Sequence, residues 1–369
     1  MKSNNRPKVG IFTKPIDQGT SGSGSYLRQL VNNILNINDR FHIVLIHYSK
    51  NNNEIYKKAD QLIISKNPLL ATIKLIKEKF DILHFYPITI FSPIWLRKPK
   101  KITSIHGGGA AQFYFPYQYS KIKVLHSRIV KPIYIRKMDY LFVGSKAGKF
   151  FITNQYHVKK DKIYFTHSSV DNDFKKYKDN PIKAKKKFGI DKPFIFHLSK
   201  YSVRKNPWTM LNAFQILKEK KFDLKFVLGG KGWKNQKVVE FAKKKNILKD
   251  IIFTGFISRE EIIELLNLAE VFVFPSFFEG FGIPNIEAMA CGCPVITSNA
   301  FAIPEVVGDA ALILNDNRDP SELANKIIQI INDTNLRNNL INKGFERVKK
   351  FSWKKSAQTV LDTYEKCLQ

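Results

Sequence analysis

The sequence predicts an α/β protein with a doubly wound parallel sheet in each half of its 369 residues. Short apolar runs alternate with segments of helical periodicity, which is the pattern of successive βα units. A charge-dense segment at residues 175–192 interrupts this alternation, which then restarts. The length also suits two domains of ordinary size. We therefore expect one domain at residues 1–180, a second at 190–350 and a terminal helix at 351–369.

The first half contains five strand candidates and one clear amphipathic helix. The expected strands are residues 9–12, 41–46, 82–85, 101–105 and 140–143. A loop rich in glycine and serine is expected after the first strand, through Ser25. The helix after this loop places Tyr26, Leu30 and Ile34 on one face, with a period of about 3.6 residues.

The second half repeats the alternation of strands and helices. Its expected strands are residues 194–198, 225–228, 251–253 and 271–274, with a helix at 206–218. Two helices are expected after Pro320, the second of them at residues 352–368.

The composition excludes several classes of protein. Hydrophobic residues make up 44% and aromatic residues 13% of the chain, so it is not disordered as a whole. No run of about eighteen apolar residues predicts a transmembrane helix, and residues 1–8 are polar with no secretory signal after them. Three cysteines cannot form a disulfide framework. These features together predict a cytoplasmic protein with reduced thiols.

The formal charge of +30 favours polyanionic partners, and its distribution is uneven. Residues 82–138 contain no Asp or Glu but carry Arg97, Lys98, Lys100, Lys101, Lys121, Lys123, Arg128, Lys131, Arg136 and Lys137. Aromatic residues are interleaved with these, namely Phe91, Trp95, Phe113, Tyr114, Phe115, Tyr117 and Tyr119. We predict that this interval docks peripherally on the inner face of an anionic membrane, with aromatic side chains entering the interface. The alternative is solvated lysines over core aromatics, and nucleic acid is disfavoured because no binding motif is recognised.

Residues 275–298 carry the most specific pattern in the chain, PSFFEGFGIPNIEAMACGCPVITS. The strand candidate at 271–274 precedes this string, and Pro284 stands where a helix would begin. A strand, a glycine loop and a helix in succession aim backbone N–H groups and the positive helix end at one point, which suits a diphosphate. Glu279 and Glu287 can accept hydrogen bonds from vicinal sugar hydroxyls. The pattern predicts a nucleotide-sugar site, although Glu287 taken alone could equally complement the helix dipole.

The string closely resembles the signature of the retaining family-4 glycosyltransferases of the GT-B fold, a glutamate followed after seven residues by a second glutamate. The match continues in register through Ala288, Met289, Ala290, Gly292, Pro294 and Val295, and then through residues 303–308. The resemblance implies two Rossmann-like domains facing a cleft, with the C-terminal helix crossing back to the N-terminal domain. It also implies retaining transfer of a hexosyl group, mannosyl slightly favoured, from a nucleotide-diphosphate sugar to a glycan or lipid-linked acceptor in polysaccharide or glycoconjugate synthesis. No metal or other cofactor is implied.

The resemblance also assigns the donor-binding residues. Those that would hold the donor sugar are Glu279 and the backbone of Gly280, Phe281, Gly282 and Ile283. Glu287 would hold the ribose, and Gly255 and Phe256 would flank the base. His106 ends the strand candidate at 101–105 and resembles the histidine that faces the donor sugar or acceptor, at the sheet edge where ligands bind.

Lys205 is the cation expected to stabilise the departing diphosphate. It directly precedes Asn206 and Pro207, an N-cap and first-turn pair, so helix N–H groups lie beside its charge. The family carries an arginine five residues earlier, where this chain has Lys200. Lysine keeps the charge but loses the bidentate fork, and the neighbouring Arg204 is placed to substitute.

The N-terminal loop with Gly19, Gly22 and Gly24 resembles the family's glycine loop, with Gly22 and Gly24 in register and a serine where another glycine is usual. Its expected task is to let backbone N–H groups approach the diphosphate, although a plain flexible turn would have the same composition. Asp171-Asn172-Asp173 imitates the aspartate motif with which another transferase architecture binds a divalent ion. In this family an aspartate at that place is ordinary, so we expect no metal role.

Two other functions remain open from the sequence. A nucleotide-sugar epimerase on the same architecture would convert its donor without an acceptor. A non-enzymatic protein that binds polyanions or membranes would explain the charge but would leave the paired glutamates unexplained.

Overall fold

The computed structural model describes residues 6–17, 22–86, 92–179 and 182–369. These residues form two compact units. One unit comprises the described residues up to Ser168 together with Ser352–Gln369, and the other comprises Ser169–Phe351.

The division lies ahead of the charge-dense segment at 175–192 in which the sequence places the boundary. That segment is hydrogen-bonded within the second unit. The N–H of Tyr177 donates to Oδ1 of Asn267 at 2.8 Å, and the N–H of Ala184 donates to Oε1 of Glu264 at 2.6 Å. High charge therefore marks the surface of the second unit here rather than a linker.

The first unit is built on a parallel sheet with the strand order β3-β2-β1-β4-β5-β6-β7. Its strands are β1 (Lys8–Phe12), β2 (His42–His47), β3 (Asp60–Ile63), β4 (Ile82–Phe85), β5 (Lys100–Ile105), β6 (Tyr140–Val143) and β7 (Ile163–Phe165). Its helices are α1 (Lys14–Asp17), α2 (Gly22–Ile37), α3 (Pro68–Lys77), α4 (Gly108–Tyr114), α5 (Lys121–Leu125), α6 (Lys131–Arg136), α7 (Lys146–Tyr156) and the C-terminal α16 (Trp353–Leu368). A π-helical turn, His126–Val130, joins α5 to α6.

Helix α16 packs beside α2 on one face of this sheet. The rings of Trp353 and Tyr26 lie 5.4 Å apart. Arg40 forms ion pairs with Asp362 at 2.9 Å and with Glu365 at 2.5 Å. The expected return of the terminal helix to the first domain is confirmed.

Helix α2 begins earlier than the sequence predicts. Gly22 and Gly24 lie in its first turns, not in a loop that runs through Ser25, while Gly19 lies outside the described residues. The buried side chain of Tyr26 donates a hydrogen bond to Oγ1 of Thr166 at 3.0 Å. This anchoring offsets the low helix propensity of the two glycines.

The second unit has a parallel sheet with the order β10-β9-β8-β11-β12-β13. Its strands are β8 (Phe194–Leu198), β9 (Lys225–Gly229), β10 (Ile251–Gly255), β11 (Val271–Phe274), β12 (Val295–Ser298) and β13 (Leu312–Leu314). Its helices are α8 (Lys183–Lys187), α9 (Pro207–Glu219), α10 (Gln236–Lys244), α11 (Arg259–Leu268), α12 (Ile283–Ala290), α13 (Ile303–Val307), α14 (Pro320–Asn332) and α15 (Thr334–Val348).

Helices cover both faces of this second sheet. Alternate residues of a strand join different cores: Phe272 packs with α12, whereas Val273 packs with α9 and α14. Burial on both faces explains why the strands are almost continuously apolar. Each unit is thus a Rossmann-like, doubly wound α/β structure, as predicted.

Three helices follow the second sheet, where the sequence predicts two. Helices α14 and α15 are separated at Asp333, whose carboxylate accepts a hydrogen bond from the N–H of Leu336 at 2.9 Å. This N-cap starts a new helix immediately after the previous one ends. Among the helices in the described ranges, none is long and apolar enough to cross a membrane. The three cysteines are buried free thiols.

Candidate functional site

The candidate site of the second unit lies at the carboxyl ends of β8 and β11. These strands pair with each other, and the chain proceeds from them towards opposite edges of the sheet. Such a switch point leaves a crevice outside the strand ends, where ligands of doubly wound sheets bind. It brings the loop before α9 beside the loop before α12, although about 75 residues separate them in sequence.

Glu279 meets two cations at this switch point. Its Oε1 accepts hydrogen bonds from Nζ of Lys205 at 2.6 Å and from Nη1 of Arg204 at 2.8 Å. The guanidinium of Arg204 also donates to the carbonyl of Phe278. Nζ of Lys205 lies 4.5 Å from the centre of the Phe274 ring. The sequence named all three charged residues, but their mutual ion pairing follows from the fold.

The cluster combines two positive charges with one negative charge. Burial acts to raise the pKa of Glu279, but Lys205 and Arg204 outweigh it, so this pKa lies below its ordinary value. Burial lowers the pKa of Lys205, and Glu279 opposes that shift. The Glu279 carboxylate therefore stays ionised at neutral pH and orients both cations, leaving an excess of positive charge suited to a diphosphate.

Helix α12 begins beside this cluster through a left-handed glycine. Gly282 is the N-cap residue with φ of +87°, and a Cβ there would lie 2.9 Å from Nδ2 of Asn285. The helix starts at Ile283 with Pro284 in its first turn, as the sequence predicts. The first-turn N–H groups of a helix lack partners within it and can bind an anion. Gly280 and the buried Phe281 complete the loop between Glu279 and the helix.

Glu287 lies one turn further along α12, in a different electrostatic setting. Burial, reinforced by Asp171 and opposed by Arg259, raises the pKa of Glu287 to about 7. Asp171 pairs with Arg259 at 2.6 Å, and Asp173 pairs with the same guanidinium at 3.2 Å. Arg259 was not singled out from the sequence, because its partners lie about 86 residues away.

Both aspartates of the metal-like motif are thus engaged by an arginine. Across residues 6–17, 22–86, 92–179 and 182–369, no group of three or more His, Cys, Asp or Glu is placed to hold a metal ion.

The remaining donor-side residues surround the carboxyl ends of β8, β9 and β10. The N–H of Gly230 donates to the carbonyl of Gly255 at 2.8 Å. Phe256 is 57% exposed, with Nζ of Lys231 5.5 Å from its ring centre. Lys200 is also exposed, in the loop after β8. An exposed aromatic ring at a strand end can stack on a base.

Gly230 belongs to the turn at residues 229–232, whose sequence resembles the family's nucleotide-side loop, but the steric reason for glycine there is visible only in the structure. Its φ is +111°, and a Cβ there would lie 2.1 Å from the carbonyl oxygen of Ser199. Only glycine fits this contact between the loops after β8 and β9. The Gly-Gly pair after a strand was the available signal.

His106 belongs to the first unit, at the carboxyl end of β5. Its ring centre lies 3.9 Å from that of Tyr26. Burial, reinforced by His84 and His167, lowers the pKa of His106 to about 3. Both ring nitrogens are shielded, and neither has a hydrogen-bond partner among the described residues. A Cβ on Gly144 would lie 2.8 Å from Nδ1 of His106, so this glycine makes room for the ring.

Gly22 also belongs to the first unit. Among the described residues, no atom lies within 4 Å of the place where its Cβ would stand, so their packing does not demand glycine there. As the first residue of α2 it has an N–H group free of the helix ladder. The predicted role of this N–H towards a diphosphate stays a prediction.

The two Rossmann-like units have the GT-B fold. Residues 179–347 match the sequence model described as "Glycosyl transferases group 1". The chain is a glycosyltransferase, and the similarity to this group lies in residues 179–347.

Among its relatives is the O-antigen chain mannosyltransferase B of Escherichia coli, 25% identical over 97% of this chain and 99% of that protein. Sucrose-phosphate synthase of Thermosynechococcus elongatus has a similar structure, with a TM-score of 0.78, 17% identity and coverage of 98% and 99%. Anabaena HepE in complex with UDP and glucose gives a TM-score of 0.79, 16% identity and coverage of 98% and 100%. The two structural similarities establish the fold.

Proposed function

We propose that this glycosyltransferase moves a hexosyl group, with mannosyl favoured, from a nucleotide-diphosphate sugar to a glycan or lipid-linked glycan, with retention of configuration. The observation that best supports this function is the cluster of Lys205, Arg204 and Glu279 beside the start of α12. A cell-surface polysaccharide or glycoconjugate is the favoured product. Support for mannose and for a glycan acceptor comes from the E. coli relative, which is described as an O-antigen chain mannosyltransferase.

In the proposed reaction the bond between the anomeric carbon and the diphosphate oxygen breaks. Negative charge builds on the leaving diphosphate, where Lys205 and the N–H groups of α12 stabilise it. The acceptor hydroxyl forms the new bond on the same face of the sugar, and its proton passes to the leaving group. No side chain acts as a covalent nucleophile.

The other predicted residues have supporting roles in this proposal. Glu279 orients the two cations and, with the backbone from Gly280 to Ile283, holds the donor sugar. Glu287 accepts hydrogen bonds from the ribose hydroxyls. His106 is neutral at pH 7, so it can offer a hydrogen bond to a sugar hydroxyl without adding charge.

The test is a donor screen on the purified protein. GDP-mannose, UDP-glucose, UDP-galactose and UDP-N-acetylglucosamine are supplied singly, with and without a mannose-containing acceptor. We expect nucleoside diphosphate release that increases with acceptor, and NMR of the product should show the anomeric configuration of the donor. Isomerised sugar nucleotide without diphosphate release would indicate an epimerase. No turnover of any donor would favour a non-enzymatic binding protein.

We also propose that the protein works at the cytoplasmic face of an anionic membrane, docked through residues 82–138. The structure describes this interval except for residues 87–91, which include Phe91. Lys121, Lys123 and Arg128 have exposed side chains. Phe113 and Phe115 are half-buried and pack on other rings, whereas Trp95, Tyr114 and Tyr117 are 52%, 48% and 72% exposed. Ile122, Leu125 and Ile129 are between 54% and 80% exposed, so the support is both electrostatic and apolar.

Vesicle co-sedimentation tests this docking. The triple variant Lys121→Glu, Lys123→Glu, Arg128→Glu should lose binding to phosphatidylglycerol vesicles at low salt, because each basic residue near such a surface gains roughly 1 kcal/mol. The control reverses Lys237, Lys243 and Lys244 on α10 of the second unit, which changes the net charge equally. Equal binding of the two triple variants would refute docking through this interval.

A further inference from the structure

Helix α3 of the first unit exposes an apolar face. Leu69, Leu70, Ile73 and Ile76 are between 51% and 73% exposed. Residues 69, 73 and 76 follow the i, i+4, i+7 spacing of one helical stripe. The opposite stripe, with Ala71 and Leu75, is buried. An ordinary surface helix presents charged and polar residues to water. Folding of the unit requires only the buried apolar stripe of α3, so the exposed apolar stripe is not explained by folding.

Lysines flank this exposed stripe. Lys66, Lys74 and Lys77 are exposed, and Lys79 follows directly after the helix. The neighbouring carboxylate, Glu78, forms an ion pair with Lys8 at 2.6 Å and does not offset them. Exposed leucine and isoleucine bordered by lysine is the pattern of helices that lie in the headgroup region of anionic bilayers. A second copy of this chain is a poorer occupant, because two such lysine-rimmed faces repel each other.

The topology places α3 on the same face of the sheet as the helices α4 to α6. The connection from β3 to β4 and that from β5 to β6 both run towards β7, whereas α2 connects β1 to β2 in the opposite sense. Right-handed crossovers therefore put α2 on one face and α3 with α4 to α6 on the other. Packing agrees: Ile11 lies in the core shared with α2, while a Cβ on Gly10 would meet Phe80, just after α3.

We propose that α3 is an interfacial helix that inserts its exposed leucine and isoleucine side chains into an anionic bilayer. This rests on the proposed membrane docking of residues 82–138 and adds a contact outside that interval. The two contacts are separated by mutation, because residues 82–138 also expose apolar side chains such as Ile122 and Leu125. The charged part of docking is screened by salt, whereas apolar insertion by α3 adds to the fraction of the protein that stays on the vesicle at high salt.

The experiment compares two double variants of the full chain. Leu69→Gln with Ile73→Gln removes apolar side chains from α3. Ile182→Gln with Leu368→Gln is the control, because both residues are exposed and lie elsewhere, in the second unit and on α16. Circular dichroism and thermal unfolding should show all variants folded, since the four side chains are exposed.

We expect the α3 variant to bind phosphatidylglycerol vesicles about tenfold or more weakly than wild type at high salt, with the control unchanged. Diphosphate release with soluble donor and acceptor should be the same in all three proteins. As a direct probe, Ile73→Cys labelled with an environment-sensitive fluorophore should shift to the blue on vesicle addition. The native cysteines are buried, so the label reacts with the introduced thiol at position 73.

Each other outcome contradicts the proposal. Equal high-salt binding by wild type and the α3 variant, or an unshifted fluorophore, would refute insertion of α3 while leaving docking through residues 82–138 in place. A wild-type dimer that the α3 variant loses in light scattering would assign the face to a second copy. Failure of wild type to bind vesicles at any salt would refute both membrane proposals, but not the transferase reaction.

Discussion

At the scale of single residues, the two glutamates of the signature sit in opposite electrostatic settings. Glu279 is bracketed by Lys205 and Arg204, which hold its pKa down against burial. Glu287 has no such direct pair, and burial raises its pKa to about 7. Glu279 is therefore charged at neutral pH, whereas Glu287 changes its protonation state close to neutral pH.

This difference predicts a pH-dependent stability effect for Glu287→Gln. The folded state retains the Glu287 proton up to about pH 7, whereas the unfolded chain releases it near 4.5. Stability of the wild type therefore falls as pH rises through this window. Each pKa unit corresponds to about 1.4 kcal/mol, so we expect the variant to gain roughly 2 kcal/mol relative to wild type between pH 5 and pH 8.

Denaturant unfolding at pH 5 and pH 8 measures this gain. The control is Glu346→Gln, a change at an exposed residue. Its stability difference from wild type should be the same at pH 5 and pH 8. An equal stability difference between Glu287→Gln and wild type at both pH values would show that Glu287 is not desolvated as described.

At the scale of elements, the start of α12 sets the geometry of the donor site. The left-handed Gly282 turns the chain from the Glu279 loop into the helix. We expect Gly282→Ala to destabilise the protein by about 1 to 2 kcal/mol, because its φ and the close Asn285 amide both oppose a Cβ. It should also raise the donor KM, since the N–H groups aimed at the diphosphate move.

The control for this change is Gly189→Ala. Gly189 also has a positive φ, of +63°, but in the part of the chain that the structure describes no atom lies within 4 Å of its Cβ position. The control should lose a similar amount of stability to backbone strain and keep the donor KM. If both variants had the wild-type KM, the start of α12 would not be part of the donor site.

The sequence predicted elements well where apolar runs were long and continuous. Strands β4, β6, β8 and β11 have the predicted limits, because they are buried on both faces. Strand β3 was missed because its sequence, DQLI, is polar at a sheet edge and has no apolar run. The bond from Gly230 to Gly255 and the pairing of Arg259 with Asp171 join distant parts of the chain. Such contacts leave no periodic signal in one sequence.

At the scale of the whole molecule, the charge surrounding the diphosphate is supplied by side chains and helix ends. Lys205 and Arg204 provide cations, and the aspartates at 171 and 173 are paired with Arg259. We therefore predict that turnover in millimolar EDTA equals turnover in Mg²⁺. Loss of activity on chelation, restored by Mg²⁺ or Mn²⁺, would contradict this prediction and would make Asp171 and Asp173 candidate metal ligands.

In the proposed function the nucleotide-sugar reacts at the switch-point cluster of Lys205, Arg204 and Glu279. Its most direct test is the rate of acceptor-dependent diphosphate release by Glu279→Gln, measured beside Glu270→Gln. Both variants lose an ion-paired carboxylate, but Glu270 pairs with Arg337 at the amino end of β11, away from the carboxyl edge. We predict that Glu279→Gln lowers turnover by about 10²-fold or more, equivalent to roughly 3 kcal/mol, while Glu270→Gln stays near wild type. Near-wild-type turnover in a folded Glu279→Gln protein would contradict the central claim.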